Sequence, residues 1–338
     1  MFGASIEKHP RFNPENLVSP VKQRLMNRRT FAKTLSLSLA AIGIQRLPLI
    51  ASTSTSPQFS ITMDDFYWTN AVKLTATERN QSILNILKSN SIKAALFVIG
   101  SNIDSDEGKQ LLWEWDKAGH MIGNHSYSHR NYSAPETVVA KYQQDILRAE
   151  TLLKEFPRFR KYFRFPMLKE GETAAKRDAM RSFLAQHGYR TGHVTIDDSD
   201  WLIDQRLNAR VKKDPTADVK PYREFYLEHL WSRAEYYDTL ARRVLNRPVK
   251  HTILVHFNLL NGLFLNDAIA MLKSKGWQPL DAEEAFTDPV FLAKPNVVPA
   301  GESIVWALAK ENGTLAKDSH YPAEEGAVVS AQMDKLGL

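Results

Sequence analysis

At 338 residues, with 43% hydrophobic side chains, the chain is long enough for one large domain or two ordinary ones and can bury a full core. Its net charge of +6 does not point to nucleic acid. Eight of the 44 basic residues but two of the 38 acidic ones fall in residues 1–51, so the remainder is balanced and no nucleic-acid partner is expected. The absence of cysteine excludes disulfides, thiolate metal ligands and a cysteine nucleophile, without choosing a compartment.

The first fifty residues read as an address. Asn27-Arg28-Arg29-Thr30-Phe31-Ala32-Lys33 is similar to a twin-arginine export motif, and a mildly apolar stretch follows over residues 35–44. A bilayer span needs about 20 apolar residues, so this stretch is short for one. The competing reading is a basic helix on a cytoplasmic protein. The paired arginines with the apolar run favour export to the periplasm or the extracellular space, with membrane attachment only if the leader stays uncleaved. Ala51 or the Ser/Thr run at 52–56 borders a cleavage site, although no clean small-x-small signal is present and Arg46 is irregular there. Three regions are expected: a leader over 1–51, a catalytic barrel over 52–290, and a tail over 291–338 that packs on the barrel or is partly disordered.

From Phe59 onward, strand-like and helix-like patterns alternate. Strands are predicted over 59–63, 94–99, 120–123, 162–165, 189–196, 252–256 and 277–280. Helices are predicted over 76–90, 107–118, 138–156 (with Pro135 at its start), 174–186, 219–246 and 263–274. Seven βα-type units without a repeat signature argue for a parallel sheet with helices outside. Over roughly 230 residues they suit a closed or nearly closed barrel better than an open sheet. Chemistry in such barrels sits at the C-terminal strand ends. Asp64, Asp65, His125, His129, Arg164, Asp197, Asp200 and His256 all fall at or just past predicted strand ends.

Each of these residues has a bland reading beside a sharp one. His125 and His129 are four apart, so a helical turn or a tight loop aims both at one ion such as Zn, Co, Ni or Fe; otherwise they are two surface histidines. Asp65 completes a set of two histidines and one carboxylate with positions left for water and substrate. Neighbours on a regular strand face opposite sides, so Asp64 shares that site only if the strand ends or bends there. In that case Asp64 is free to take a proton, and otherwise either acid is a turn residue. Arg164 lies in an apolar strand and needs a partner. Asp64 is one candidate, and a structural pair with Asp197 or Asp198 is the other. His256 is either a satisfied core histidine or a proton donor, with Asp200 holding one ring nitrogen and raising its pKa. Trp201 walls the pocket or fills core.

The ordered set resembles the five motifs of the polysaccharide deacetylases, carbohydrate esterase family four, over residues 59–280. Thr62-Met63-Asp64-Asp65 is similar to the family's Thr-Phe-Asp-Asp, in which the first aspartate is the base and the second a metal ligand. His125-Ser126-Tyr127-Ser128-His129 matches its two-histidine segment, with Gly123-Asn124 before it. Arg164-Phe165-Pro166, Asp200-Trp201 and Leu254-Val255-His256 resemble the remaining three. The resemblance implies a distorted (β/α)7 barrel of TIM-barrel type and metal-dependent removal of N- or O-acetyl groups from a glycan such as chitin oligosaccharide or peptidoglycan. It implies Asp65, His125 and His129 as metal ligands, Asp64 as base, and Arg164 as its orienting partner. His256 tuned by Asp200 is then the acid. The departures are Phe66-Tyr67-Trp68, where the family has glycine first, and Met167, where tyrosine is frequent. At Met167 only the backbone N–H remains as an oxyanion donor. The three aromatics either form a sugar-stacking wall or narrow the groove.

The expectation is an exported glycan deacetylase using a divalent metal, zinc first and cobalt or nickel next. Its alternatives are a related C–N hydrolase of a small amide or cyclic imide, suggested by the altered loop, and a carbohydrate-binding barrel without turnover.

Overall fold

The computed structural model describes residues 56–316, 319 and 326–338. The export leader predicted over 1–51 therefore lies outside the described residues. The first strand, β1 (Gln58–Asp65), is buried along almost its whole length, as a central strand covered on both faces must be. α1 (Ala76–Ser89) starts at a Thr75/Glu78 capping box. It is followed by β2 (Ala95–Val98), α2 (Asp106–Ala118) and β3 (Met121–Asn124). Ser105 caps α2, and Gly119, in the left-handed region at φ 84°, ends it.

α3 (Val139–Leu153) begins later than predicted from Pro135. Pro135 belongs to a separate turn, in which Thr137 N–H donates to Ala134 O at 3.0 Å and Thr137 Oγ1 donates to Asn131 O at 2.7 Å. β4 (Phe159–Phe163), β5 (Lys169–Gly171) and α4 (Ala174–Gln186) come next.

The strand predicted over 189–196 is two short ones, β6 (Arg190–Thr191) and β7 (Ile196–Asp197). β6 pairs with β4, whereas β7 pairs with the strand at the opposite side of the sheet. The chain crosses between them at Gly192, where a Cβ would come within 2.4 Å of the Phe97 ring. One continuous strand cannot serve both edges, and hydrophobicity alone does not show the crossing.

α5 (Asp200–Lys213) and the 26-residue α6 (Lys220–Leu245) fill the long charged connection. Then follow β8 (Lys250–His256), α7 (Leu259–Ser274), β9 (Gln278–Pro279) and the short α8 (Ala282–Ala285). The chain continues as β10 (Ala300–Gly301), α9 (Ile304–Glu311) and α10 (Gly326–Lys335). Ile304, Val305, Trp306, Ala309, Val329 and Met333 from this last stretch are part of the main hydrophobic core.

The strand order is β6-β4-β3-β2-β1-β8-β7, with β9 added to the start of β1, and these pairings are parallel. The sheet curls into a half-barrel surrounded by helices, a distorted (β/α) barrel open between β6 and β7. β1 sits at its centre. The β1–β8 register sets Asp64 opposite His256, and the β1–β2 register sets Asp65 opposite Val98. All the parallel strands end on one face, which is where the titratable side chains gather.

Candidate metal centre and active site

The end of β1 brings two adjacent acids to one place because the strand bends there. Asp65 and Phe66 have φ of 80° and 55°, and Phe66 N–H turns back to Asp64 O at 3.1 Å. Asp64 O also accepts Phe257 N–H at 3.0 Å, and Asp65 O accepts Asn102 Nδ2 at 3.0 Å. Left-handed backbone outside glycine is disfavoured and persists only where surroundings hold it. Here it recurs around one mouth, at Ser126, His129, Met167, Leu168 and Ser199 as well.

The second segment follows β3. His125 N–H donates to Val98 O at 3.0 Å, and its ring Nδ1 lies 2.9 Å from Arg164 O. A carbonyl only accepts, so Nδ1 carries the proton and Nε2 presents a lone pair. His129 is turned back by its N–H bond to Ser126 Oγ at 3.0 Å. Asn124 Oδ1 accepts Ser126 N–H at 2.8 Å, and Asp145 Oδ2 on α3 accepts Tyr127 N–H at 3.1 Å and Ser128 N–H at 3.0 Å. The loop is thus clamped from below and from the side.

Asp65, His125 and His129 each offer one ligand atom, and these atoms lie within 4.8 Å of one another. Asp65 Oδ1 is 3.5 Å from His125 Nε2 and 3.1 Å from His129 Nε2. Despite those short distances, Oδ1 is buried and makes no well-aligned hydrogen bond to either ring. The distances and the missing bond agree if the three atoms converge on a shared point. Ligands about 2.0–2.1 Å from a tetrahedral ion stand roughly 3.3 Å apart, so the donor set fits a divalent metal such as zinc. Burial works against the charge of Asp65, but the two imidazoles, with His256 adding, hold its carboxyl well below its usual range.

Arg164 follows β4 directly and is 1% exposed. Its Nη1 donates to Asp64 Oδ1 at 2.7 Å and Thr62 Oγ1 at 3.0 Å, and its Nε donates to Gly192 O at 2.7 Å. Its guanidinium lies over the Phe97 ring, 3.9 Å from the centroid. Asp64, rather than Asp197 or Asp198, is its ion-pair partner at contact distance. Asp197 acts on it only through charge at longer range. The Asp64 Oδ2 atom remains toward the metal cluster, 3.6 Å from His125 Nε2.

Asp200 opens α5, and its carboxylate is fully buried. Oδ1 lies 2.5 Å from His256 Nδ1, while Oδ2 accepts His256 N–H at 2.9 Å, Asn258 Nδ2 at 3.0 Å and Asn261 Nδ2 at 2.6 Å. Burial opposes the imidazolium, but the Asp200 charge and hydrogen bond outweigh it, and Asp65 and Asp64 add to them. The His256 pKa therefore stands well above its ordinary value. Behind this pair, burial, Asp200 and Asp197 push the Asp198 carboxyl well above its usual range.

One cavity of about 540 Å³ is lined by Asp64, Asp65, His125, His129, Met167, Trp201 and His256. Arg164 and Asp200, also predicted from sequence, do not reach its wall and bear on it through Asp64 and His256. Trp201 is 45% and Met167 54% exposed at the mouth. A second cavity of about 300 Å³, lined by Tyr67, Asn70, Asn208 and Lys212, shares Asp65, Trp201 and His256 with the first. The three-aromatic wall after Asp65 is corrected. Phe66 is fully buried against Phe257 and Trp115, with ring centroids 4.9 and 6.4 Å away, and only Tyr67 and Trp68 face out.

Sequence reasoning did not single out Asp145, Asn258 or Asn261. Asn258 was legible as a helix cap, since its side chain accepts Asn261 N–H at 2.9 Å, but its second contact to Asp200 was not. Asp145 had no local signal, being one acid on an amphipathic helix.

Residues 51–192 match the family model described as polysaccharide deacetylase. A peptidoglycan-N-acetylglucosamine deacetylase of Bacillus cereus is 26% identical over 125 residues, 37% of this chain and 42% of that protein, so the match spans less than half of the relative. Similar solved structures include the chitin deacetylase of Colletotrichum lindemuthianum, at 19% identity and a TM-score of 0.47, covering 68% of this chain and 88% of that one. A CE4 family pseudoenzyme of Bacillus anthracis aligns at 16% identity and a TM-score of 0.48, covering 68% and 66%. Over residues 51–192 the chain is similar to the polysaccharide deacetylases, and that stretch carries Asp64, Asp65, His125, His129 and Arg164 of the motifs gathered at the strand ends.

Proposed function

We propose that the protein is a metal-dependent deacetylase that hydrolyses N- or O-acetyl groups on a glycan of the chitin or peptidoglycan kind. The observation that carries this reading is the convergence of Asp65 Oδ1 and two imidazole Nε2 atoms beside an Arg164-held Asp64. A divalent ion held by Asp65, His125 and His129, zinc by preference, would supply Lewis-acid polarisation of the acyl oxygen and of the attacking water.

The chain's own groups do the rest. Arg164 occupies Asp64 Oδ1 and so leaves Oδ2 as the proton acceptor for the water. Met167, held at φ 54° on the cavity wall, offers its backbone N–H to the oxyanion. His256, kept as imidazolium by Asp200, donates its proton to the departing nitrogen or oxygen. Trp201 and the Tyr67 side of the mouth form the surface on which a sugar ring lies.

The similarity of residues 51–192 to a peptidoglycan deacetylase supports a glycan over small amides. The altered loop that suggests a small-amide hydrolase leaves Tyr67 on the wall of the adjoining cavity, which suits a ring-bearing substrate as well. The twin-arginine-like leader supports export of the folded protein. The test is acetate release from N-acetylated chito-oligosaccharides, peptidoglycan fragments and acetylxylan, before and after chelation. Release that vanishes on chelation and returns with zinc or cobalt is expected. Absence of release from all three by metal-loaded protein would sink the reading.

A further inference from the structure

Once Asp64, Asp65, His125, His129 and His256 have roles, Lys169, Asp197 and Glu302 remain on the cavity wall as charged groups that the chemistry does not use. Lys169 lies on β5 and Glu302 directly follows β10, the two strands of a small ribbon in which Gly301 pairs with Lys169. Gly301 has φ 118°, and a Cβ there would come within 1.8 Å of Leu168 O, so glycine is what lets the strap lie this close to the Met167 turn. Glu302 follows in the left-handed region at φ 66° and donates its N–H to Leu168 O at 2.9 Å. Ser303 Oγ donates to Thr195 O at 2.8 Å and Ile304 N–H to Val194 O at 2.9 Å, which pins the strap across the open seam of the sheet. Such a conformation outside glycine is disfavoured, and it is fixed here from both sides. Burial pushes the Glu302 carboxyl above its usual range, with Lys310, Lys169 and a hydrogen bond from the Trp306 side chain opposing.

The strap lies beyond the matched stretch 51–192. A cavity of about 540 Å³ is of a size that encloses a whole ligand rather than an acyl group alone. Its faces at Met167, Leu168, Leu254 and Trp201 are apolar. Hydroxyl groups entering it need acceptors, and a carboxylate supplies two oxygens for a pair of adjacent donors.

We propose that Glu302 is a specificity-determining residue, whose carboxylate accepts adjacent hydroxyls of the sugar unit carrying the scissile acyl group. The proposal rests on the glycan reading for the nature of the ligand and not for its turnover. Binding of an N-acetylated chito-oligosaccharide to the chelated full chain, measured by calorimetry, therefore tests it apart from catalysis. Charge-assisted hydrogen bonds predict a roughly tenfold weaker Kd in Glu302→Gln, and weaker still in Glu302→Ala. Thermal melts check that the fold is kept. Should both variants unfold, Glu302→Asp, which withdraws the charge by one methylene, is expected to weaken binding in the same direction. Equal Kd in wild type and folded variants overturns the proposal, as does no binding by wild type. Glu302-dependent binding without any acetate release by the metal-loaded chain leaves this assignment standing and removes the hydrolase reading instead.

Discussion

Asp200 grips His256 at two points, with one carboxylate oxygen 2.5 Å from the ring Nδ1 and the other 2.9 Å from the backbone nitrogen. The acid is spent entirely inward, since Asn258 and Asn261 take its remaining capacity. It therefore sets both the tilt of the imidazole and its charge. Because the His256 pKa is raised, the proton-donating form persists to higher pH and is lost only as pH climbs through that raised value. Asp200→Asn is expected to shift the basic limb of the kcat/KM profile to lower pH and to cut the rate about a hundredfold. An unmoved basic limb would contradict the pairing.

Arg164 and Asp64 are both buried, so removing one strands the other. Arg164→Ala should destabilise the fold by about 3–5 kcal/mol, measured by denaturant unfolding, beyond any loss of activity. Arg164→Lys should recover part of the stability but little of the rate. A lysine cannot reproduce the bonds made separately by Nη1 and Nε to Asp64, Thr62 and Gly192.

Asp145 touches neither the cavity nor the ligand atoms, yet it accepts two N–H groups from the loop between His125 and His129. Asp145→Ala should weaken zinc affinity by about 10–100-fold, read by competition with a chromophoric chelator. Unchanged affinity would show that the loop keeps its shape without the clamp.

Asp204 supplies a pH dependence of stability. Burial raises its pKa from 3.8 to about 6 in the fold. Folded protein thus holds this proton when unfolded chain has released it, so the contribution is fully present below pH 3.8 and is lost as pH rises to about 6. Asp204→Asn should flatten the stability profile across that window in urea titrations. A parallel profile would assign the slope to other groups.

Much of this site was legible because catalytic barrels place chemistry at strand ends, and short apolar runs closed by acids or histidines mark those ends. Asp64, Asp65 and His256 were readable in this way. The bend that turns Asp64 and Asp65 to one side was only a condition in the sequence, since φ at Asp65 is decided by contacts from Asn102 and Phe257 far along the chain. Where position depends on tertiary crossing, the pattern fails. Residues 189–196 look like one strand but serve two edges, and Phe66 looks like part of a mouth but packs in the core. Glu302 had no motif at all. It reaches the cavity through a strap whose partner, β5, lies about 130 residues earlier.

The most direct test of the account is Asp64→Asn, assayed in parallel for bound metal and for acetate release from an N-acetylated chito-oligosaccharide. Asp64 lies beside the ligand set but outside it. Near-stoichiometric zinc is expected in the variant, with acetate release reduced by about a hundredfold or more. Release at the wild-type rate with zinc bound would contradict the assignment of Asp64 as the base, and with it the proposed chemistry of the site.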